Sequence, residues 1–314
     1  MIKMLKRAVA GATVAAGTAV VAGALLSGAA IAQQKAEPLL EFNYGLPNAN
    51  HASVFVAQDL GLFEKVGLKP KFFLFQSGAP LLAGLKSESL DVVTAGLALA
   101  LALGQNIPLK FIFWEANSAV SEGLVVDPKS GIKSYMDIGK AKKIAAATGT
   151  CAQVSLYMMA KKAGVDYAKL NVVNIPAPLF RNSFMSGSID AGVAWPPFSL
   201  QLQAEGYPIV SFDSDYTPPG GLCPGLTAVR PAYLKQRPEI GLKLVQVEAL
   251  AREAMAKNPQ VGIDAFVKRL QISPEVAKAT LERECCGRIP SFADQIDPNS
   301  PYSKIGRASC RERV

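Results

Sequence analysis

The chain has 314 residues, 50% of them hydrophobic, and a formal net charge of +8. Removing the three positive charges of the first seven residues and the net two of the last ten leaves +3, and no Lys/Arg cluster is interleaved with aromatic residues. This balance argues against a nucleic-acid-binding protein and is compatible with an anionic ligand.

The first 32 residues have the pattern of a secretory leader. Basic residues at positions 3, 6 and 7 precede an apolar run over 8–26, and Ala30-Ile31-Ala32 is an A-x-A cleavage site. We expect export to the periplasm with cleavage after Ala32, and without a lipid anchor because no cysteine lies near the cut. A membrane anchor is the alternative, but the run is rich in Gly, Ala and Thr. No later stretch is long and apolar enough to span a bilayer.

The last ten residues, IGRASCRERV at 305–314, look like the in-frame translation of a sequencing adapter. They have no apolar periodicity, and an ordinary basic tail is the alternative. We therefore expect the natural chain to be cut off near Lys304, with a C-terminal segment missing.

After the leader, strands alternate with helices. Gly61 is suited to end the first helix, and Pro80 suits the first turn of the second. The expected strands are 41–45, 71–75, 91–95 and 109–114, and the expected helices are 53–60, a segment opening at Pro80, and 97–103. This order predicts a parallel sheet with helices on both faces.

A second alternating segment follows, and then a helical one. Its expected strands are 123–126, 143–147, 171–175 and one beginning at Asp190, with helices near 134–138, 151–163 and 179–184. The Pro/Gly-rich stretch 213–225 predicts a long loop or hinge crossing. A strand at 226–229 and amphipathic helices at 239–256, 261–270 and 274–284 complete the chain.

One pattern occurs twice. FMSGSIDAGVAWPP at 184–197 and LLAGLKSESLDVVTAG at 81–96 each contain a helix end, a tight turn and a short strand that begins at an aspartate. The first of these strands must stop at Pro196-Pro197, because proline cannot extend a strand ladder. The repetition predicts two similar lobes that face each other, as in a two-lobed binding protein.

The cysteines indicate a disulfide and no metal. Four of them lie outside the leader and the tail, namely Cys151, Cys223, Cys285 and Cys286. In an oxidising compartment we expect one disulfide, with Cys223 paired to one of the vicinal cysteines as the favoured choice, although spacing alone assigns no pair. There is no CxxC or Cys/His ligand pattern, so we expect no structural zinc, and no cofactor is indicated.

Four motifs together resemble those of the periplasmic binding proteins of nitrate, sulfonate and taurine ABC importers, which share a fold with thiamine-precursor binders. The matching runs are AxxxGxFxKxGL within 57–68, SG…ALxxGxxD within 75–91, LKGKxIA…GS/T within 139–150 and xxxGxxDA…WxP within 185–196. Each motif is weak alone, but their order and spacing cover 41–291. Glu88-Ser89 replaces the family's usual glycine, and Ile138-Gly139-Lys140 its usual Leu-Lys-Gly, both at surface turns.

The resemblance implies an α/β receptor of the two-lobed, type II-like class with two hinge crossings. The first lobe would comprise 33–118 and 226–304, and the second 119–225. The protein would close as a monomer over a small anionic or zwitterionic ligand, of the sulfonate, taurine or nitrate type, and deliver it to the membrane permease of an ABC importer. No catalysis is implied, and the sequence shows no nucleophile–base pair.

Ligands of open α/β sheets lie beyond the carboxyl ends of the strands. That rule selects Asn50, His51, Ser77, Gly78, Thr94, Trp114, Glu115, Thr148, Gly149, Thr150, Gln153 and Trp195. Thr148-Gly149-Thr150 is the strongest candidate, because free N–H groups at the start of a helix bind oxyanions. Ser77-Gly78 would be its equivalent in the first lobe. The alternative is a plain N-cap by Thr150.

The remaining candidates each have two interpretations. Trp114 and Trp195 are either core residues or the aromatic walls of the cleft, which would suit an alkyl sulfonate or a flat heterocycle better than nitrate. Glu115 is either solvated or a partner for an ammonium group. His51, beside Asn50, is either a polar loop residue or a hydrogen-bonding partner of the ligand.

Three other functions stay open at this point. The ligand could be a thiamine-pyrimidine precursor, or the receptor could serve a membrane sensor instead of a permease. An enzyme of pyrimidine synthesis is the third, but the pyridoxal-phosphate lysine and cysteine-rich stretch that it needs are not recognisable here.

Overall fold

The structure is a computed structural model that describes residues 38–217, 223–284, 291–297 and 299. The expected leader with its cleavage site after Ala32, the vicinal Cys285 and Cys286, and the tail at 305–314 lie outside these residues. No helix within the described part of the chain is long and apolar enough to cross a membrane.

Strands and helices alternate along most of the chain. The strands are β1 (Leu40–Pro47), β2 (Leu68–Phe75), β3 (Val92–Ala95), β4 (Lys110–Asn117), β5 (Gly123–Val126), β6 (Ile144–Ala145), β7 (Val172–Val173), β8 (Ala191–Ala194), β9 (Ile209–Phe212) and β10 (Pro224–Val229). The helices are α1 (Ala52–Asp59), α2 (Leu62–Lys65), α3 (Gly78–Lys86), α4 (Ala98–Gly104), α5 (Cys151–Lys162), α6 (Phe180–Met185), α7 (Phe198–Ala204), α8 (Pro231–Gln236), α9 (Glu239–Lys257), α10 (Gln260–Leu270), α11 (Pro274–Glu284) and α12 (Phe292–Ile296).

The strands form two sheets with the same topology. The first sheet has the order β2-β1-β3-β10-β4 and the second the order β7-β6-β8-β5-β9. In each sheet the fourth strand, β10 or β5, is antiparallel to both neighbours, whereas the pairings of β1 with β2 and β3 and of β6 with β7 and β8 are parallel. We call the first sheet with its helices the first lobe and the second sheet with its helices the second lobe. The prediction of two similar, mostly parallel lobes is therefore confirmed.

The repeated aspartate has the same role in both lobes. Asp91, just before β3, accepts a hydrogen bond of 2.9 Å from the backbone N–H of Asn43 in β1. Asp190, just before β8, accepts bonds of 2.8 Å from the backbone N–H groups of Lys142 and Lys143, just before β6. Each carboxylate therefore satisfies backbone donors of the neighbouring strand and fixes how the central strands begin.

Each lobe has its own apolar core. Phe63 and Phe266 are fully buried in the first lobe, where α1 packs against α9 and α10. Phe180 is fully buried in the second lobe, directly over Gly192 of β8. An added Cβ at Gly192 would lie 2.5 Å from the Phe180 ring, so the strand needs a glycine there.

Several predicted elements differ in length or type. The segment near 134–138 is a 3-10 helix at Tyr135–Lys140, and β6 and β7 are two residues long. Helix α7 and strand β9 were not predicted. The residues of α7 alternate between apolar and polar, which is typical of a strand, and they follow a cis peptide bond between Pro196 and Pro197.

Candidate functional site

A cleft that is partly open to solvent lies between the two lobes, at the ends of the central strands. The residues that line it are Pro47, Ala49, Asn50, His51, Gly78, Ala95, Gly96, Leu97, Ala98, Glu115, Ala116, Ser118, Glu122, Thr150, Cys151, Trp195, Cys223, Pro224 and Gly225. Of the twelve residues selected from the sequence, Asn50, His51, Gly78, Glu115, Thr150 and Trp195 are among them.

Two helices begin at the cleft from opposite lobes. Helix α3 starts at Gly78 in the first lobe and α5 at Cys151 in the second, and neither the Ser77 nor the Thr150 side chain caps its helix. The approach is close, since a Cβ added at Gly78 would lie 3.3 Å from the carbonyl oxygen of Gly149 and 2.5 Å from Ala98 Cβ. The positive ends of two helix dipoles therefore converge on one side of the cleft, which favours negative charge there.

The turn before α5 has fewer free hydrogen-bond donors than the sequence predicts. The N–H of Thr148 donates to Asn174 Oδ1 and that of Gly149 to Gln153 Oε1, both at 2.9 Å, and the Thr150 hydroxyl donates to the Ala147 carbonyl oxygen at 2.6 Å. Thr148, Gly149 and Gln153 do not line the cleft. The predicted set of free donors is thus mostly satisfied within the turn, and the start of α5 itself, beside Thr150, is what faces the cleft.

His51 and Glu115 form a buried pair in the first-lobe wall. His51 Nδ1 lies 2.9 Å from Glu115 Oε2, and His51 Nε2 lies 3.0 Å from the carbonyl oxygen of Pro47. Because a carbonyl oxygen can only accept, Nε2 is the ring nitrogen placed to donate to Pro47, and Nδ1 faces the Glu115 carboxyl group. Ser53 Oγ is 3.5 Å from Glu115 Oε1. The pair fixes the orientation of both side chains at the cleft.

The lining of the cleft also carries acidic side chains. Glu115 and Glu122 both line the cleft, whereas no Lys or Arg of the described residues does so. Glu248 is buried nearby, and burial raises its pKa to about 7, with Arg252 lowering and Glu115 further raising that pKa. A ligand group that carries positive charge or hydrogen-bond donors would therefore be stabilised next to these carboxyl groups.

The two tryptophans differ in position. The indole Nε1 of Trp195 donates to the backbone oxygen of Asn48 over 3.4 Å, so this residue of the second lobe contacts the first lobe across the cleft. Trp114 instead packs in an apolar cluster of the first lobe. Thr94 is also in the first-lobe interior, where its hydroxyl is bonded to those of Tyr44 and Thr227 at 2.6 and 2.7 Å. Ser77, Thr94 and Trp114 do not line the cleft.

The twelve residues selected from the sequence did not include Glu122, Cys151 and Cys223, which line the cleft. Cys151 and Cys223 form a disulfide, so the expectation that Cys223 pairs with Cys285 or Cys286 is wrong. Cys223 directly precedes β10, an inner strand of the first sheet, and Cys151 is the first residue of α5. From the sequence, only the position of Cys151 at a predicted helix start could have indicated that this cysteine lies at the cleft.

Solved structures share this fold. The alkanesulfonate-binding protein SsuA from Xanthomonas axonopodis pv. citri, bound to MOPS, superposes with a TM-score of 0.72 at 20% identity, covering 88% of this chain and 95% of that one. The periplasmic nitrate-binding protein NrtA from Synechocystis PCC 6803 gives a TM-score of 0.65 at 13% identity, covering 76% and 69%. At these identities the similarity establishes the fold alone.

Sequence comparison gives the family. A Bacillus subtilis (strain 168) protein, provisionally named as an aliphatic sulfonates-binding protein, is 29% identical over 189 residues, which is 59% of this chain and 55% of that protein. The match therefore spans little more than half the length of this relative. The family model described as NMT1/THI5 like matches residues 48–261, more than half of the chain. The chain therefore belongs to the NMT1/THI5-like family.

Proposed function

We propose that this protein is an extracytoplasmic solute-binding receptor of an ABC importer. The observation that carries the proposal is the cleft between two lobes of equal topology, walled by both helix starts and by Trp195. Two-lobed receptors of this kind hold a ligand by hinge closure, and the chain crosses between the sheets at 118–122 and again after β9. The names of the relatives, which include a periplasmic binding protein of an ABC transporter, support the same function.

The distribution of charge in the cleft favours a zwitterionic ligand. The starts of α3 and α5 would stabilise a sulfonate group, and Glu115 of β4 would stabilise an ammonium group. Nitrate has no positive group to offset the two carboxyl groups, so we rank it below an aminosulfonate of the taurine type. The Trp195 ring would cover the alkyl part of such a ligand.

A thiamine-pyrimidine precursor is the second candidate. The observation that favours it is the acidic lining of the cleft, without a Lys or Arg among the described lining residues. The exocyclic amino group and ring N–H of a protonated aminopyrimidine could donate to these carboxyl groups, while Trp195 would stack on the ring.

We further propose that the mature protein is a periplasmic monomer without catalytic activity, and that it delivers its ligand to a membrane permease. A receptor for a membrane sensor is the alternative. Neighbouring genes for a permease and an ATPase would support transport, and a lone histidine kinase gene would support the sensor.

The decisive experiment is thermal unfolding of the chain from residue 33 onward in the presence of taurine, short alkanesulfonates, nitrate and aminopyrimidines. A ligand that binds only the folded protein adds about 2.7 kcal/mol to the free energy of unfolding at a hundredfold excess over its Kd. We expect the largest shift with an aminosulfonate, lost in Trp195→Ala and Glu115→Gln. Trp114→Phe is the matched control and should retain the shift. A shift with the aminopyrimidine alone would favour the second candidate, and no shift with any compound would contradict both.

A further inference from the structure

The Cys151–Cys223 disulfide joins the two lobes. Cys151 is the first residue of α5 in the second lobe, and Cys223 directly precedes β10 in the first-lobe sheet. Their Cα atoms are 5.6 Å apart, and both residues line the cleft. The bond therefore connects opposite walls of the candidate ligand site.

The sulfur atoms lie directly against the first lobe. The backbone N–H of Leu97 points to Cys151 Sγ at 3.4 Å, and a Cβ added at Gly96 would lie 2.9 Å from the same sulfur. Glu122, in the first crossing between the sheets, places its Oε2 2.9 Å from Cys223 Sγ. The α5 start thus reaches across the cleft, and no side chain larger than glycine fits at position 96.

Hinge opening would separate the walls that this bond holds together. A ligand can enter or leave the cleft only if α5 moves away from the ends of β3 and β10, while a disulfide limits its two Cα atoms to a separation of less than about 7 Å. We propose that the Cys151–Cys223 disulfide is a redox-operated latch, which restricts opening of the cleft when oxidised and permits it when reduced. The latch goes beyond the proposed function, since it concerns motion of the cleft whatever the ligand is.

The chemistry of the latch is thiol–disulfide exchange. A dithiol reductant supplies two electrons and two protons, so the Cys151–Cys223 bond breaks into two thiols while the dithiol becomes a disulfide. In the reduced protein, the Cys223 thiol can donate its hydrogen to Glu122 Oε2. Reoxidation by a disulfide oxidant is the reverse exchange, and Glu122 is placed to accept the proton that leaves Cys223 when it attacks as a thiolate.

The reduced state has one complication that the experiment must remove. Glu122, Cys151 and Cys223 place one possible metal-ligand atom each within 4.8 Å of one another. A soft divalent metal could therefore bridge the two thiolates and hold the walls together in place of the disulfide. All reduced samples should contain a chelator.

Trp195 reports the state of the cleft without any ligand. In the Trp114→Phe background it is the only tryptophan, and it is 7% exposed in this structure. We expect a phosphine reductant to raise its acrylamide quenching constant about twofold as opening exposes the ring to solvent. The constant should be taken from fluorescence lifetimes, because a nearby disulfide itself quenches tryptophan. The Cys151→Ser/Cys223→Ser variant should show the high value with or without reductant, and Cys285→Ser/Cys286→Ser should still respond.

Three results would overturn the latch. These are equal quenching constants before and after reduction, a non-reducing peptide map in which Cys151 and Cys223 carry free thiols, and a response that persists in Cys151→Ser/Cys223→Ser. Solution X-ray scattering of the unsubstituted chain gives a second measurement, with an expected increase in radius of gyration on reduction. Because neither measurement uses a ligand, failure of the proposed ligand class would leave the result interpretable.

Discussion

Asp213 should make the protein less stable as the pH rises from mildly acidic to neutral. Its side chain is fully buried after β9, where the chain leaves the second lobe, and its backbone N–H donates to the Glu122 carbonyl oxygen at 3.1 Å. Burial raises its pKa to about 7 from an ordinary 3.8, although the hydroxyls of Tyr216 and Ser155 oppose the shift. The folded protein therefore retains a proton that the unfolded chain has lost.

The sign and size follow from proton linkage. Between pH values near the unfolded and folded pKa, the folded state binds more protons, so its stability falls with rising pH by up to about 1.4 kcal/mol per pH unit. Over the whole interval from 3.8 to about 7 this amounts to a loss on the order of 4 kcal/mol. Below this interval Asp213 makes its full contribution to the free energy of unfolding. Above the interval the free energy of unfolding no longer changes with pH through this group.

Urea unfolding of the native chain and of Asp213→Asn, at intervals from pH 4.5 to 8, measures this contribution. Asparagine has no charge to lose, so the stability of the variant relative to the native chain should increase up to a pH of about 7 and then level off. Asp264→Asn, which changes an exposed carboxylate on α10, is the matched control and should follow the native curve. If the difference between Asp213→Asn and the native chain is the same at pH 5 and pH 8, the reasoning is wrong.

The remaining predictions concern one further carboxyl group and three glycines. The free energy of unfolding should also fall between pH about 4.5 and about 7 because burial raises the pKa of Glu248, and Glu248→Gln should remove that part of the pH dependence. Gly78→Ala should weaken binding of the ligand found by thermal shift, measured by calorimetry, since its Cβ would meet Ala98 at 2.5 Å where the helix starts approach. Gly192→Ala should cost about 1–3 kcal/mol in urea unfolding, because Phe180 is fully buried and cannot turn away. Gly104→Ala, where a Cβ meets nothing within 4 Å, is its control and should be neutral or stabilising.

The fold was largely predictable because its signals are local. The aspartate-led strands, the alternation of strand and helix, and Gly61 at the end of α1 each depend on a few neighbouring residues. Helix α7 was not predicted, since Phe198, Leu200 and Leu202 alternate with polar residues as in a strand, and its helical form depends on packing against both lobes. Tertiary contacts there override the local pattern.

The candidate site was predictable only in part, because a strand end presents side chains on both faces. Trp114 and Glu115 are adjacent in β4, yet one faces an apolar cluster and the other the cleft. No pattern in the sequence chooses between the two faces at a strand that is buried on both sides. Glu122 and Cys223 come from different crossings and meet only because β10 is inserted into the first sheet.

That insertion also sets the order in which the molecule can be completed during synthesis. Strand β10 lies between β3 and β4, so the ladder of the first sheet has a gap until residues 224–229 have emerged. The second sheet is contiguous, from β5 to β9, and has all its strands by residue 212. The first sheet is therefore incomplete while the second sheet forms. A nascent chain that stalls between residues 212 and 224 would present the unpaired edges of β3 and β4 to chaperones.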